Sequence, residues 1–483
     1  MYNKIIQSIE KIMDVVARYT LAVAFSVIFI IGLFIKAMYS FDDSPYFTTP
    51  TVFDFLSFAV VILITFIAYK YRDFIQKKTN YKLCFVLFTA AALAYVILVP
   101  LIPFSDMSAV YQGAILFAEG KWSVFFDMPY WNVFLVNMKL AMFWGVLIFP
   151  FPKQLITFKI YNIIMMYAAA RLTGEIAKKY TAYYNLVYLG ILSFLPFIIY
   201  ANHIYYDMPV IMLIVLGLYL YIRRDNLVMS LVVLSFAGVM RDTSFLVIAS
   251  IVIVYVIDNR GIKGREAYHV FFRLAAARAL LITIKTGLQL VVEKLQQNEY
   301  QPYPSWNCYY IGINETEFGF MNNAELSYSR SLQDVIDRIR EYGPLRICRI
   351  LFKKTFWLWS QGTYQAQRYG FGIDTDNWND KFQYQTVITP CVLNDSQFLR
   401  KVINAFGRAQ YYVLFGLSII TLWRKSSADK YRSFIYMFMA TFLTMLIFEL
   451  KSRYILFLFP CMLIMAIDCF DYQLPRRVNL SLP

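Results

Sequence analysis

Long apolar runs separated by short polar loops dominate the chain. A helix needs about 20 apolar residues to cross a hydrocarbon core about 30 Å thick, and backbone that faces lipid must satisfy its own hydrogen bonds, so these runs predict helices. They lie at 19–39, 53–70, 83–102, 154–172, 183–200, 208–222, 227–240, 243–257, 270–291, 409–423, 431–448 and 453–470. The pattern predicts an all-α polytopic membrane protein with about twelve transmembrane helices.

Charged loops predict the orientation of these helices. Basic residues mark one set of alternating loops as cytoplasmic: Arg72, Lys77, Lys78 and Lys82; Arg171, Lys178 and Lys179; Arg223 and Arg224; Arg260, Lys263 and Arg265; Arg424, Lys425, Lys430 and Arg432; Arg476 and Arg477. The other set, predicted to be outside, carries Asp42, Asp43, Asp106, Asp207, Arg241, Asp242 and 449–453. We expect a multi-pass protein of the cell membrane with a cytoplasmic N-terminus.

The segment from Asn132 to Phe149 has two interpretations. It is apolar enough to span the bilayer, but counting it as a span reverses the predicted side of every later loop. It also carries Asn137 and Lys139. We interpret 132–149 as a helix on or within the outer face, with a true span as the alternative.

Composition narrows the class of protein. Hydrophobic residues make up 59% of the 483 and charged residues 16%, which excludes an ordinary soluble domain. The net charge of +15 comes mostly from basic residues in short loops between apolar runs, as the positive-inside bias produces. We therefore expect no nucleic-acid partner. We expect no removable signal peptide at the start of the chain. Its first residues place Ile5, Ile9 and Ile12 on one helical face, which fits either a surface helix or a lead-in to the first span.

These features divide the chain into four parts. Residues 1–82 hold the N-terminal amphipathic helix and two extra spans, 83–291 a core transmembrane module with a first outer loop at 103–153, and 409–483 the C-terminal transmembrane helices. Residues 292–408 form a small extracytoplasmic domain, which we expect to lie on the outer helix ends as a lid or platform. Within it, Ser331–Glu341 has helical periodicity.

The cysteines and histidines predict no structural metal site. The chain has 6 Cys and 2 His, and no C-x-x-C pair. A disulfide between Cys308 and Cys391 is left open, because sequence does not fix its geometry. His203 is expected to be a solvated residue at the outer surface.

Acids at the outer ends of apolar runs are the strongest functional signal. Asp106 follows the run 83–102, Asp207 opens the run at 208, and Glu449 precedes the last run. A charge beside the bilayer core is costly, so it is a candidate functional residue. Alternatively, Asp106 and Asp207 cap helices.

The sequence around these acids resembles a known family. Ser105-Asp106-Met107 is followed by Tyr111, Gly113, Ala114 and Glu119-Gly120-Lys121-Trp122; later come Tyr205-Tyr206-Asp207-Met208-Pro209, Trp306-Asn307 with Gly312 and Gly319, and Phe448-Glu449-Leu450-Lys451-Ser452-Arg453-Tyr454. This order, over about 83–470, resembles membrane glycosyltransferases of the GT-C superfamily. It is most similar to the bacterial members of the protein O-mannosyltransferase (family 39) and lipid A aminoarabinose transferase branches.

The resemblance implies a fold with outer-face jaw helices and a reaction. A sugar would pass, with inversion, from an undecaprenyl-phosphate carrier to a cell-envelope acceptor such as a teichoic acid, polysaccharide or lipid. Asp106 would be the general base, and Asp207 would hold the acceptor, share a metal with Asp106 or pair with Arg241. Whether a divalent cation takes part is left open.

The resemblance also suggests roles for the remaining candidate residues. Arg241, Lys451 and Arg453 would bind the carrier phosphate, or anchor the protein to lipid headgroups. Glu449 would contact the substrate, or pair with Lys451 or Arg453. Tyr111, Trp306 and Tyr454 would contact the sugar or the lipid chain, although aromatic belts place such residues at interfaces in any case.

Two departures from the family pattern change these expectations. Met107 follows Asp106 where the mannosyltransferases have Glu, which weakens a metal role for this loop. Asp127-Met128-Pro129-Tyr130-Trp131 replaces a cation-bearing motif of the family. The resemblance therefore implies that Arg241, Lys451 or another basic residue binds the phosphate.

Two other functions compete with glycosyl transfer. A transporter or flippase of lipid-linked saccharides would carry polar or broken segments at mid-membrane in paired repeats, whereas here the charges lie at outer ends. A non-catalytic subunit that holds polyprenyl carriers would have a similar groove. Loss of turnover on replacing Asp106 distinguishes an enzyme from such a subunit.

Overall fold

The computed structural model describes residues 2–39, 44–132, 134–258, 305–320, 329–424 and 427–471, with isolated positions between 268 and 294. The predicted span 270–291 lies outside these residues except at isolated positions. The predicted loop features at Asp42, Asp43, 260–265 and Lys425, and the C-terminal Arg476 and Arg477, also lie outside them.

Helices form nearly all of the described chain. The helices up to residue 258 are α1 (Tyr2–Phe34), α2 (Val52–Lys70), α3 (Arg72–Lys78), α4 (Tyr81–Leu98), α5 (Asp106–Ala118), α6 (Trp122–Phe126), α7 (Leu135–Ile148), α8 (Leu155–Ala177), α9 (Tyr184–Ser193), α10 (Leu195–Ile199), α11 (Asp207–Arg224), α12 (Leu227–Met240) and α13 (Ser244–Asp258). Those after it are α14 (Ser305–Gly312), α15 (Leu332–Ser360), α16 (Ala366–Phe371), α17 (Phe398–Trp423), α18 (Ser427–Lys430), α19 (Arg432–Ile447) and α20 (Phe459–Asp468). Short 3₁₀ turns occupy Pro129–Asn132, Tyr200–Asn202, Trp378–Asp380, Thr389–Val392, Ser452–Leu458 and Cys469–Asp471.

Five helical segments of the described chain are long and apolar enough to cross a membrane: Glu10–Phe34, Val52–Lys70, Tyr81–Leu98, Leu155–Ala177 and Ser452–Asp471. A sixth counts if the bent pair Tyr184–Ser193 and Leu195–Asn202 is one span; its halves meet at 48°. The bend falls where Phe194 is extended, and Pro196 is the second residue of the helix that follows. A proline cannot donate a hydrogen bond to the preceding helical turn. The chain is thus a membrane protein by the length and composition of these helices.

A short antiparallel hairpin departs from the predicted all-α fold. Strands β1 (Lys36–Tyr39) and β2 (Pro45–Thr48) pair where the first apolar run was expected to continue as a helix to residue 39. The Lys36 ammonium lies 3.0 Å from the Asp54 carboxylate at the start of α2. This ion pair fixes the hairpin to the ends of the first two long helices.

Helix α1 runs without a break from the N-terminal segment into the first long apolar segment, as a lead-in would. Its polar side faces the protein: Asp14 and Arg18 are buried, whereas Ile12 and Val16 are exposed. Arg18 donates to the Arg424 carbonyl over 2.9 Å. The apolar face is therefore the one directed at the surroundings, as expected in lipid.

The hydrophilic stretch does more than cover the outer helix ends, which corrects the prediction of a lid or platform. Helix α15 begins just after its cap residue Ser331, at the start of the predicted helix Ser331–Glu341, but continues to Ser360, with a non-helical Gly343 inside. Its last turn is buried, and Trp359 packs 4.6 Å from Phe25, near the middle of the crossing part of α1. Residues 361–367 are all buried as well. The segment 354–371 therefore enters the helix bundle from one face.

The same segment returns to the face from which it came. Gln361 accepts hydrogen bonds from the backbone N–H groups of Thr363 and Gln365, both 3.1 Å away. In α16, the Gly370 carbonyl accepts from Tyr95 over 2.6 Å. Irregular backbone at such depth is allowed because protein, not lipid, surrounds it.

Helix α7, within the ambiguous segment 132–149, lies against the early turns of α8. Near its end, Trp144 packs 5.6 Å from Phe158, and the Leu147 carbonyl accepts from Tyr161 over 2.8 Å. Helix α7 has 14 residues, as does α12, which is predicted to span the membrane. Length therefore does not separate the two interpretations, and the outer-face position of 132–149 stays a prediction.

Candidate functional site

The site is built around the Asp106 carboxylate at the first turn of α5. Ser105 precedes it with φ 50, a left-handed conformation that costs energy in a non-glycine residue. The Tyr130 hydroxyl donates to one carboxylate oxygen over 2.6 Å, and the Tyr205 hydroxyl lies 3.2 Å from the other. Within the described residues, no cation lies within 4 Å of this half-buried carboxylate.

Asn137 connects the two tyrosines that contact Asp106. Its amide nitrogen donates to the Tyr130 oxygen over 2.7 Å, and its amide oxygen accepts from Tyr205 over 2.9 Å. Helix α7 supplies Asn137, and a 3₁₀ turn before it supplies Tyr130. The first outer loop therefore folds back on itself to orient the carboxylate.

A second carboxylate, Asp207, is held by cations. Arg241 lies 3.0 Å from one of its oxygens and Arg453 lies 3.5 Å from the other. His203 Nε2 is 2.8 Å from Asp207. Burial opposes the charge on Asp207, but Arg453, His203 and Arg241 outweigh it and lower the pKa to about 2.

Both guanidinium groups lie over tyrosine rings. Arg241 lies 4.2 Å from the ring centre of Tyr206 and 4.5 Å from that of Tyr454. Arg453 lies 4.4 Å from the ring centre of Tyr369 and 5.0 Å from that of Tyr205. Cation–π contacts of this kind are worth about 0.5–2 kcal/mol and strengthen when water is excluded.

Each guanidinium also keeps an unused donor. The Arg241 side chain is 10% exposed and that of Arg453 is 5% exposed. Arg241 Nη2 and Arg453 Nε are buried and have no hydrogen-bond partner among the described residues. A buried donor without a partner costs about 1–3 kcal/mol, so the two arginines are suited to an additional anion.

His203 corrects an expectation, since it is buried and not solvated. Its Nδ1 lies 2.8 Å from the Met107 sulfur, and its ring packs 4.7 Å from that of Tyr369. Burial lowers the pKa of His203, against the pull of Asp207. This direction favours the neutral imidazole, whose Nε2 faces Asp207.

Glu449, Lys451 and Tyr454 form a neighbouring group. Lys451 lies 2.8 Å from Glu449, and the Tyr454 hydroxyl donates to Glu449 over 3.4 Å. Burial opposes the charge on Lys451, but Glu449 raises the pKa well above its ordinary value. Lys451 thus adds a third cation beside the arginine pair.

Two predicted contact residues lie apart from this cluster. The Tyr111 ring packs 5.1 Å from Phe158 in α8. Trp306 is 39% exposed and packs 5.4 Å from Tyr309. Among the described residues, neither of them contacts the carboxylates or the arginines.

Of the three roles predicted for Asp207, the described contacts give the pairing with Arg241; holding the acceptor and sharing a metal with Asp106 stay predictions. Asp106 binds hydroxyl groups, and Asp207 binds arginines and a histidine. Within the described residues there is no group of three or more His, Cys, Asp or Glu side chains placed to hold a metal ion. Cys308 and Cys391 are both free, so the disulfide left open by the sequence does not form here.

Sequence reasoning missed Tyr130, Asn137, Tyr205, His203 and Tyr369. Asn137 could have been selected because it is a polar residue inside an apolar segment. Tyr205 could have been selected because it lies two positions before the candidate acid Asp207. Tyr369 gave none, because its place depends on the return of the segment 354–371 to the site.

Comparison with known proteins adds no further constraint. No family model, no curated protein and no solved structure matches this chain. The function must therefore be argued from the site itself.

Proposed function

We propose that this protein is a membrane glycosyltransferase that moves a sugar from a polyprenyl-phosphate carrier to a hydroxyl of a cell-envelope acceptor, such as a teichoic acid, polysaccharide or lipid. The finer architecture belongs to the same proposal: about twelve spans, a GT-C fold, and a site that opens on the extracytoplasmic face. The residue motifs that resemble GT-C glycosyltransferases support it.

The observation that carries the proposal is the Asp106 carboxylate beside a group of cations, Arg241, Lys451 and Arg453, here called the cation layer. Both arginines in this layer have a donor without a partner among the described residues. Tyr205 connects the carboxylate with the layer, because its hydroxyl reaches Asp106 and its ring lies under Arg453. Arginine is well suited to phosphate, since its planar fork offers several donors. In the proposed complex, the carrier phosphate takes the free donors of Arg241 and Arg453, and the sugar that it carries lies toward Asp106.

Each group then has a chemical role. Asp106 accepts the proton of the acceptor hydroxyl as its oxygen attacks the anomeric carbon. The bond from that carbon to the carrier phosphate oxygen breaks on the opposite side, so the configuration inverts. Arg241 and Arg453 stabilise the charge that develops on the leaving polyprenyl phosphate, while Asp207 and His203 keep both arginines in place.

The surroundings fit a donor carried by lipid. The site lies at the ends of apolar helices α4, α11 and α20, where a phosphate with a long apolar tail would sit. The sequence has no glycine-rich loop for a nucleotide-linked donor.

The test is donor consumption by purified protein reconstituted in liposomes. A mixed pool of undecaprenyl-phosphate sugars is added with envelope acceptors, and mass spectrometry follows free undecaprenyl phosphate. Release above protein-free liposomes, together with a glycosylated acceptor, is the expected result and identifies the donor sugar. If no donor is consumed while a lipid-linked saccharide changes leaflet, the protein is a flippase and the proposal is wrong.

A further inference from the structure

A buried lysine in α15 has no carboxylate partner yet sits between two segments near the site. Lys354 is fully buried. Its Nζ donates to the Gly312 carbonyl over 2.6 Å and also to the Phe448 carbonyl. Within the described residues, no carboxylate oxygen lies within 4 Å of this ammonium. A buried charge is costly unless its donors are used, so its placement requires an explanation.

The two carbonyls belong to the ends of two helices. Gly312 is the last residue of α14, and Phe448 is the residue that ends α19. A helix C-terminus carries about half a negative charge on its unpaired carbonyl groups. Two such ends together supply about one negative charge, which offsets part of the cost of burying the ammonium, and the neutral amine donates to the same carbonyls.

Close backbone packing at the same junction leaves little freedom. The Leu450 N–H donates to the Gly319 carbonyl over 2.7 Å. A Cβ on Gly312 would lie 2.1 Å from the Ile447 carbonyl oxygen. Gly319 has φ +94, and a Cβ there would be 3.0 Å from the Lys354 side chain. Residues 312–319, Lys354 and 447–450 therefore form one closely packed unit, here called the lysine latch.

The segment held by the lysine latch continues into the cation layer. Glu449 and Lys451 lie within one residue of Leu450, and Arg453, which contacts Asp207, follows three residues after it. We propose that Lys354 is a positioning residue: by binding the carbonyl ends of α14 and α19, it fixes segment 447–453 and so the placement of Lys451 and Arg453. The consequence for donor binding rests on the proposed function; the latch itself does not.

The first arm of the test measures the latch without reference to activity. Hydrogen–deuterium exchange of peptides covering 447–453 is compared between wild type, Lys354→Met and Lys353→Met. Lys353 is the matched control, as a neighbouring lysine of the same helix with a more exposed side chain. We expect exchange about tenfold faster in Lys354→Met alone, because the Phe448 and Gly312 carbonyls lose their shared donor. Unchanged exchange overturns the proposal.

The second arm measures donor turnover on the same three proteins. Loss of position predicts a KM for the lipid donor raised about tenfold with a smaller change in kcat. A merely structural role would lower the folded fraction, and with it the maximal rate, at unchanged KM; that result overturns the positioning role. If wild type consumes no donor while exchange is faster in Lys354→Met, the latch stands and the proposed function fails.

A milder variant keeps the test decisive if Lys354→Met does not fold. Lys354→Gln retains an amide donor but loses the charge and reach of the ammonium. The same exchange measurement applies, with faster exchange at 447–453 expected and wild-type exchange contradicting the latch.

Discussion

The arginines around Asp207 are charged residues in a largely buried site. Their charge is tolerated because Asp207 pairs with both, and tyrosine rings cover the guanidinium faces. Charged pairs in such surroundings interact more strongly than in water, provided that every partner is present. The sequence indicated Arg241 and Arg453 by their place beside apolar runs. It gave no sign of the tyrosine that covers Arg453, Tyr369, because the two are far apart in the chain.

Arg241→Met should weaken donor binding. The variant loses both the contact with Asp207 and the free Nη2. Removing charged hydrogen bonds costs about 1.5–3 kcal/mol, so the KM for the lipid donor should rise about 10- to 100-fold. Steady-state kinetics with varied donor checks this. Arg223 lies at the end of α11 opposite Asp207, so Arg223→Met should leave the KM unchanged. A wild-type KM in Arg241→Met would exclude a role of Arg241 in binding the phosphate.

Lys354 should make stability depend on pH. Burial lowers the pKa of Lys354 to about 7, with Glu449 acting in the opposite direction, against 10.5 for the exposed group. Between these values the unfolded chain binds a proton that the folded chain does not, so folding becomes more favourable as pH rises.

Thermal unfolding in detergent from pH 7 to 10 measures this effect. The midpoint should rise with pH in the wild type and rise less steeply in Lys354→Met. Equal slopes in the two proteins would show that the lysine stays charged in the folded state.

Packing of α5 against α7 sets the geometry of the first carboxylate. Gly113 lets the two helices approach, since a Cβ there would lie 2.6 Å from Trp131 and 3.2 Å from Ala141. Apolar runs predicted the helices 53–70 and 227–240 well, because the same apolar surroundings, lipid or protein core, act on every turn of such a run. It could not predict the return of 354–371 through the bundle, since protein-enclosed polar backbone leaves no apolar run.

Gly113→Val should reduce activity more than stability. The added side chain meets Trp131, and overpacking of this kind costs about 1–3 kcal/mol. Relief by a shift of α7 would move Asn137 and Tyr130 away from Asp106. We expect a lower kcat in the folded fraction, measured beside a thermal melt. Gln112→Val, at the adjacent exposed position, serves as the control; full activity in Gly113→Val would show that α7 does not position the carboxylate.

The molecule as a whole has two charged faces joined by apolar helices. One holds Asp106, Asp207 and Arg453. On the other, Arg432 lies 2.9 Å from Asp14 and 2.8 Å from Asp258, which ties α1, α13 and α19 together. Loop charges predict that the face with Asp106 and Asp207 is outside and that the face with Arg432 is cytoplasmic, and this orientation stays a prediction. The bend at Phe194 was not predicted, since its halves read as one apolar run.

Arg432→Met should destabilise the protein without changing the site. The variant leaves Asp14, a buried carboxylate, without its arginine, at a cost of about 3 kcal/mol. A lower unfolding midpoint is expected, with an unchanged KM for the donor in the folded fraction. A large change in KM would mean that the two faces are coupled.

The central claim is that Asp106 performs the chemistry while the cation layer binds the donor. The most direct measurement compares donor binding and single-turnover transfer in wild type, Asp106→Asn and Asp127→Asn, the last a carboxylate of the same outer loop. Loss of a general base lowers the rate by about 10²- to 10⁴-fold. We expect this fall in the single-turnover rate in Asp106→Asn alone, with donor affinity within about threefold of wild type. Transfer at the wild-type rate in Asp106→Asn would contradict it.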